Sequence, residues 1–197
     1  MERQKHGFDE EEYIKKYYFV DDYDHNYTSQ WDGKIKTSNI IYPPKMASLK
    51  DFPETIPVSI KTKKIHCAVE MGDFMRNVKK EEGFLLMVGF WEGIDRLVVR
   101  RHFMHIPQQE WNKNFPLDLA KKMNNIFADN NITNNVSDDL RWKQISSTYR
   151  REWEKLGTGI NVCFKRDHKN QKRVQCSIKR EYFAMLVDQY SVEVKKR

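Results

Sequence analysis

Gly83-Phe84-Leu85-Leu86-Met87-Val88-Gly89-Phe90-Trp91 is a continuous apolar run bounded by glycines. A half-buried strand alternates apolar and polar side chains, whereas a strand covered on both faces does not, so this run predicts the central strand of a sheet. It is far too short to span a membrane. Residues 97–106 read as a further strand. Upstream, Pro57-Val58-Ser59-Ile60-Lys61-Thr62-Lys63 alternates, with Val58, Ile60 and Thr62 on one face and Ser59, Lys61 and Lys63 on the other. Residues 33–42 alternate through Ile35, Thr37 and Asn39 as another strand, which Pro43-Pro44 ends.

The covering layers are helical. Residues 8–19 carry acids early and Lys15 and Lys16 late, as the helix dipole favours. Residues 69–80 read as a helix with Glu70, Asp73 and Asn77 at i, i+3 and i+7 on one polar face. Two more helices are expected over residues 108–125 and 137–156, separated by an Asn-rich loop. The second has Ser137 at its N-cap and Trp142, Tyr149 and Trp153 in one stripe, a core or dimer face. Residues 160–166 and 173–180 read as a hairpin around a polar turn. Strands interleaved with helices predict an α/β fold, in detail an α+β mixed sheet flanked by helices. At 197 residues one domain is expected, its core roughly 8–110 and a helical and basic hairpin region over 108–197.

The chemistry-bearing residues lie around the 57–63 strand. Asp32 stands between Trp31 and Gly33, at the end of a polar loop; Asp51, eight residues before Ser59, is a rival first acid. If Asp32 meets Lys61 and one acid from Glu70 or Asp73, two carboxylates can hold Mg²⁺ while the ammonium steadies an attacking water or a phosphate.

At these residues the chain resembles the PD-(D/E)xK nucleases, in particular type II restriction endonucleases, over roughly residues 8–92. Asp32 matches the first acid and Ser59-Ile60-Lys61 the strand triplet. Trp31 stands where the motif has proline, and Ser59 where it has the second acid. Some members of that superfamily use Ser-x-Lys and take the missing carboxylate from the following helix, here Glu70 or Asp73. The helix before the first strand also lends a carboxylate in such enzymes, which implicates Glu11 or Glu12. The resemblance implies a restriction-endonuclease-like central sheet and a Mg²⁺-dependent, sequence-specific double-stranded DNA endonuclease. Asp32, Ser59, Lys61 and Glu70 would be catalytic, with Asp32, Glu70 and Asp73 as metal ligands. It further implies a homodimer, one site per strand of a palindrome, and a methyltransferase acting on the same sequence.

The charge points the same way. The net charge is +7, with a pI near 9.2 and 32% charged residues. From position 161 onward, Lys165, Arg166, Lys169, Lys172, Arg173, Lys179, Arg180, Lys195, Lys196 and Arg197 face only Asp167, Glu181, Asp188 and Glu193. A two-stranded ribbon fits a major groove, so Lys165, Arg166, Lys169, Lys172, Arg173 and Gln175, with Lys63 beside the central triplet, are the expected DNA contacts. Cys67, Cys163 and Cys176 lack zinc-ligand spacing and read as reduced thiols. His66 and Cys67, read as strand neighbours, point apart and make a poor nucleophile and base pair. No glycine-rich phosphate loop or GxSxG elbow occurs. No apolar leader precedes residue 20, so the expectation is a soluble protein in a reducing, intracellular compartment. Two competing readings are a non-catalytic DNA-binding protein of nuclease-like fold and a basic protein that docks on acidic surfaces.

Overall fold

The computed structural model describes residues 2–21, 31–46, 52–78, 80–132, 139–166 and 172–197. In chain order its elements are α1 (Glu2–Tyr17), β1 (Gly33–Lys36), β2 (Ile40–Ile41), β3 (Thr55–Lys64), β4 (Val69–Asp73), α2 (Phe74–Val78), β5 (Phe84–Glu92) and β6 (Leu97–Ile106). These are followed by α3 (Gln108–Asn112), α4 (Leu117–Asn124), α5 (Ile126–Asp129), α6 (Asp139–Glu154), β7 (Ile160–Arg166), β8 (Lys172–Ile178), α7 (Arg180–Tyr190) and β9 (Glu193–Val194).

The main sheet has the order β1-β3-β5-β6, with β3 and β5 parallel and the other two pairings antiparallel. The fold is therefore mixed α/β, a mixed sheet flanked by helices. The apolar run forms β5, an inner strand, and both its faces are buried. Leu85 and Met87 join Ile14, Tyr18, Ile35, Ile56, Val58 and Ile60 in a cluster beneath α1. Phe84, Leu86, Val88 and Phe90 point the other way, into a larger cluster with Trp111, Phe115, Trp153 and the apolar side of a second sheet. That sheet, β4-β8-β7, is antiparallel throughout.

Parallel strands need a crossover. Here β4 and α2 make it, and so carry their polar residues past Ser59 and Lys61, which face away from α1. The sequence predicts a single helix over 69–80, and the structure corrects this. Val69 and Met71 are buried with period two, the free edge of β8 pairs with them, and Gly72 adopts a φ of 79°, outside helical geometry. The strand expected over 33–42 is also interrupted, by a 3-10 turn at Thr37–Asn39, and Ile40 and Ile41 pair instead with β9. The helix expected over 108–125 splits at Pro116, because the residue before a proline is steered out of the helical region. Asn114 fills the gap: its amide donates to Glu110 O, Trp111 O and Tyr182 Oη, and its oxygen accepts the Gly159 N–H at 2.7 Å.

Helix α1 is pinned by a fork. Arg101 Nε and Nη2 donate to the two carboxylate oxygens of Glu10 at 2.7 and 2.9 Å, with Tyr13 stacked 4.2 Å from the guanidinium. Gly89 makes room for it, since a Cβ there would meet Glu10 Oε1 at 2.9 Å. Trp142 and Trp153 are core residues, which resolves their stripe in favour of packing. All three cysteines are free. No helix among the described residues is long and apolar enough to cross a membrane.

Candidate active site

Asp32 precedes β1 and is set by the β1–β3 pairing, its N–H donating to Val58 O at 2.9 Å. One carboxylate oxygen, Oδ2, accepts from Ile60 N at 2.6 Å, from Lys61 Nζ at 2.9 Å and more loosely from Ser59 Oγ at 3.5 Å. Lys61 Nζ also donates to Ile60 O at 2.9 Å. Asp32 and the Ser59-Ile60-Lys61 triplet are thus one hydrogen-bonded unit. A charge-assisted pair that also accepts a backbone amide is held in one geometry.

Glu70 and Asp73 line the same cavity, of about 310 Å³, with Asp32, Ser59, Lys61, Asn77 and Lys80. In a regular strand residues three apart point to opposite faces. The register shift between Glu70 and Gly72 restores the parity: Glu70 pairs with Ser177 and Asp73 with Gln175, two residues apart on β8 and therefore on one face. The helical spacing was the wrong reason for a shared face; the bulge supplies it. Asp73 Oδ1 accepts the Arg76 N–H at 3.1 Å, and Asn77 Nδ2 donates to Met71 O and Asp73 O, which locks the β4–α2 corner. Glu70, 69% exposed, accepts from Lys63 at 2.8 Å.

Lys80 is the residue that sequence reading missed. Its Nζ lies 3.7 Å from the Trp31 ring centroid and 4.2 Å from that of Phe84, with Trp111 at 5.8 Å, and the residue is 3% exposed. Its carbonyl is held by Gln108 Nε2 and Asn112 Nδ2. Burial pushes its pKa down to about 7, helped by the nearby Lys61 charge and opposed by Cys176 and Asp32. Trp31 gave a signal, since an aromatic beside a candidate acid can seat a cation, but nothing in the spacing tied it to position 80.

Among the described residues no group of three or more His, Cys, Asp or Glu could hold a metal ion. The remaining option is the arrangement Mg²⁺ commonly uses, one or two carboxylates completed by water and substrate oxygen. Asp32 Oδ1, Glu70 Oε2 and Asp73 Oδ2 accept no hydrogen bond from a described residue, so hard oxygen donors face the cavity. The donor chemistry fits. Glu11 and Glu12 do not line this cavity; Glu11 pairs with Lys15 at 2.7 Å, Glu12 is exposed, and among the described side chains of α1 the buried acid is Glu10. Asp51 lies outside the described residues.

The hairpin is not a free ribbon. Its inner face, Val162, Phe164, Val174, Cys176 and Ile178, is core, and β4 pairs along β8. On the other face Lys165 stands opposite Arg173, both exposed, and Gln175 lies between Cys163 and Asp73. Register alone therefore puts Lys165, Arg173 and Gln175 on the same face as Glu70 and Asp73. Arg166 and Lys172 pair at the hairpin end, with side chains outside the described residues, as is Lys169 altogether. Lys63 is committed to Glu70.

His66 and Cys67 are in a turn rather than a strand, His66 at a φ of 66°, and both line a second cavity of about 320 Å³ with Arg100, His102, Arg180 and Phe183. Burial, and then the Arg100 charge, lower the His102 pKa. In comparisons with known proteins the chain matches no protein-family model, no curated protein and no solved structure.

Proposed function

We propose that the chain is a Mg²⁺-dependent endonuclease that hydrolyses phosphodiester bonds of double-stranded DNA, in the manner of a type II restriction enzyme. The observation that carries this reading is the contact of Asp32 with Ser59, Ile60 and Lys61 in a cavity shared with Glu70 and Asp73. An acid fixed against a lysine, with further carboxylates across a small gap, is what phosphodiester hydrolysis needs: charge compensation for the phosphoryl group and a positioned water.

Asp32 is oriented by the Ile60 amide, so its free oxygen is presented to the cavity. Lys61, held in place by that carboxylate at 2.9 Å, donates to a phosphoryl oxygen or fixes the water. Ser59 steadies the Asp32 carboxylate. Asp32, with Glu70 or Asp73, would hold Mg²⁺, which when bound supplies Lewis-acid polarisation of the phosphoryl oxygen and a lowered pKa for bound water. Lys165, Arg173 and Gln175 extend the same face toward flanking phosphates and base edges. Cutting both strands of a symmetric site calls for a homodimer, and a sequence-specific cutter calls for a methyltransferase that protects the host site.

A second reading, a DNA-binding protein of nuclease-like fold without chemistry, is favoured by one observation. Asp32 and Glu70 are each already neutralised, by Lys61 and Lys63. Digestion of mixed plasmid and phage DNA with and without Mg²⁺ separates the two. Discrete Mg²⁺-dependent bands, lost in Lys61→Ala and Asp32→Ala while gel-shift binding is retained, support the endonuclease. Intact DNA that still shifts on a gel sinks it.

A further inference from the structure

A buried ammonium ordinarily has a carboxylate partner. Lys80 has none. It is 3% exposed, it sits on the faces of Trp31 and Phe84, and its Nζ makes no hydrogen bond or ion pair with a described residue. It also lines the cavity that holds Asp32, Ser59 and Lys61. The aromatic shelf stabilises the cation without using up its N–H donors, because a ring face attracts positive charge and accepts no strong hydrogen bond. Three donors on a fixed stem are left for a guest. The stem is fixed from below: the Lys80 carbonyl takes two side-chain amides, and Trp111 Nε1 donates to Asn77 O at 2.9 Å, so the aromatic wall and the end of α2 are tied together.

We propose that Lys80, seated on Trp31 and Phe84, is a metal-independent binding subsite for a phosphoryl oxyanion of a nucleic-acid backbone. The inference rests on the endonuclease reading for the identity of its ligand. Lys61 and Arg76 also line the cavity, but the Lys61 charge is matched by Asp32 and Arg76 is exposed to solvent. Lys80 is the buried cation with no ion-pair partner among the described residues, so an anion entering between the two lysines gains most from Lys80. A tetrahedral phosphoryl group matches this chemistry whether it comes from a phosphodiester or from free phosphate.

The test uses the full chain in EDTA at constant ionic strength. Inorganic phosphate and a short duplex oligonucleotide are titrated separately into the native protein and Lys80→Met, following tryptophan fluorescence, since Trp31 forms the shelf. Saturable binding of both probes, weakened at least tenfold in Lys80→Met, is expected. Equal affinities in the two proteins overturn the proposal. Loss of phosphate binding alone, with duplex affinity unchanged, overturns the backbone assignment. If Lys80→Met does not fold, acetic anhydride labelling of the native chain read by peptide mass spectrometry decides instead. Phosphate should slow acetylation of Lys80 several-fold and leave exposed Lys155 unchanged, and equal rates with and without phosphate refute the subsite. Failure of the endonuclease reading looks different: Lys80-dependent binding of both probes persists while Mg²⁺ yields no cleavage.

Discussion

Replacing Lys80 by methionine should stabilise the protein at neutral pH, and by an amount that depends on pH. Methionine keeps the length and the apolar stem and removes only the charge. The pKa of Lys80 falls from an ordinary 10.5 to about 7, and at about 1.36 kcal/mol per unit this is a penalty on the order of 4 kcal/mol at pH 7. A shifted pKa is a net quantity, with the Trp31 and Phe84 faces at 3.7 and 4.2 Å already acting on the cation, so the expected gain from Lys80→Met is likewise on the order of 4 kcal/mol at pH 7. The unfolded chain holds the Lys80 proton up to about pH 10.5 and the folded chain only to about 7, so the unfolded state binds more protons in between. Native stability therefore rises with pH through this window and is lost as pH falls toward the folded value. Methionine does not titrate, so the difference between the two proteins should shrink to about 0.4 kcal/mol near pH 10.5. Urea unfolding of both proteins at intervals from pH 6.5 to 10 measures this, and every other titrating group cancels in the difference. A pH-independent difference, or a methionine variant less stable than the native chain at pH 7, would refute the claim that Lys80 is a desolvated charge.

Other expectations concern the scaffold and the outer face. Glu10→Gln breaks the fork that pins α1 and leaves Arg101 without its counter-charge, and should cost about 3 kcal/mol in urea unfolding; a loss below about 1 kcal/mol would mean that α1 is held by apolar contacts alone. Gly72→Ala meets no steric obstacle but must adopt a φ of 79°, so it should cost about 1–2 kcal/mol. Because the bulge sets the face of Asp73, the same variant should lose more cleavage activity than its stability loss explains, and unchanged activity would dissociate the bulge from the site. Arg173→Ala should weaken DNA binding and lower the slope of log affinity against log salt by about one. A loss confined to one sequence would instead assign Arg173 to a base edge.

Much of the core was legible because its signals are periodic. The unbroken run at 84–91 and the alternation at 57–63 are direct consequences of which faces are covered, and β5 and β3 form where those patterns lie. The pairing of Asp32 with the 59–61 triplet was legible at one remove: an antiparallel β1 with Gly33 opposite Val58 carries Asp32 to Ser59 and Ile60. The reading failed where two periods compete. Residues 69–80 contain apolar positions that satisfy both a helix and a strand over so short a span, and the vacant edge of β8, more than a hundred residues away, decides for the strand. Local sequence does not contain that edge. It also does not contain the partner that draws Ile40 and Ile41 to β9; Pro116, by contrast, splits the helix expected over 108–125 by a local effect that the sequence itself carries.

Lys80 marks a different limit, since no periodicity bears on it. Its neighbours Trp31, Phe84 and Trp111 come from three separate segments, and its burial follows from their convergence rather than from any property of its own surroundings in sequence. A lysine next to Lys79 and two glutamates reads as solvated surface by every compositional rule. The structure makes it the most deeply buried cation lining the cavity, and the asymmetry is chemical. Lys61 meets an acid and commits donors to Asp32 and the Ile60 carbonyl, whereas Lys80 meets only ring faces among the described residues and keeps its donors free. Two lysines in one cavity thus have separable roles: one orients the carboxylate, and the other is available to a ligand. Neutralising Lys61 should therefore disturb Asp32, while neutralising Lys80 should leave the Asp32 contacts with Ile60 and Ser59 in place.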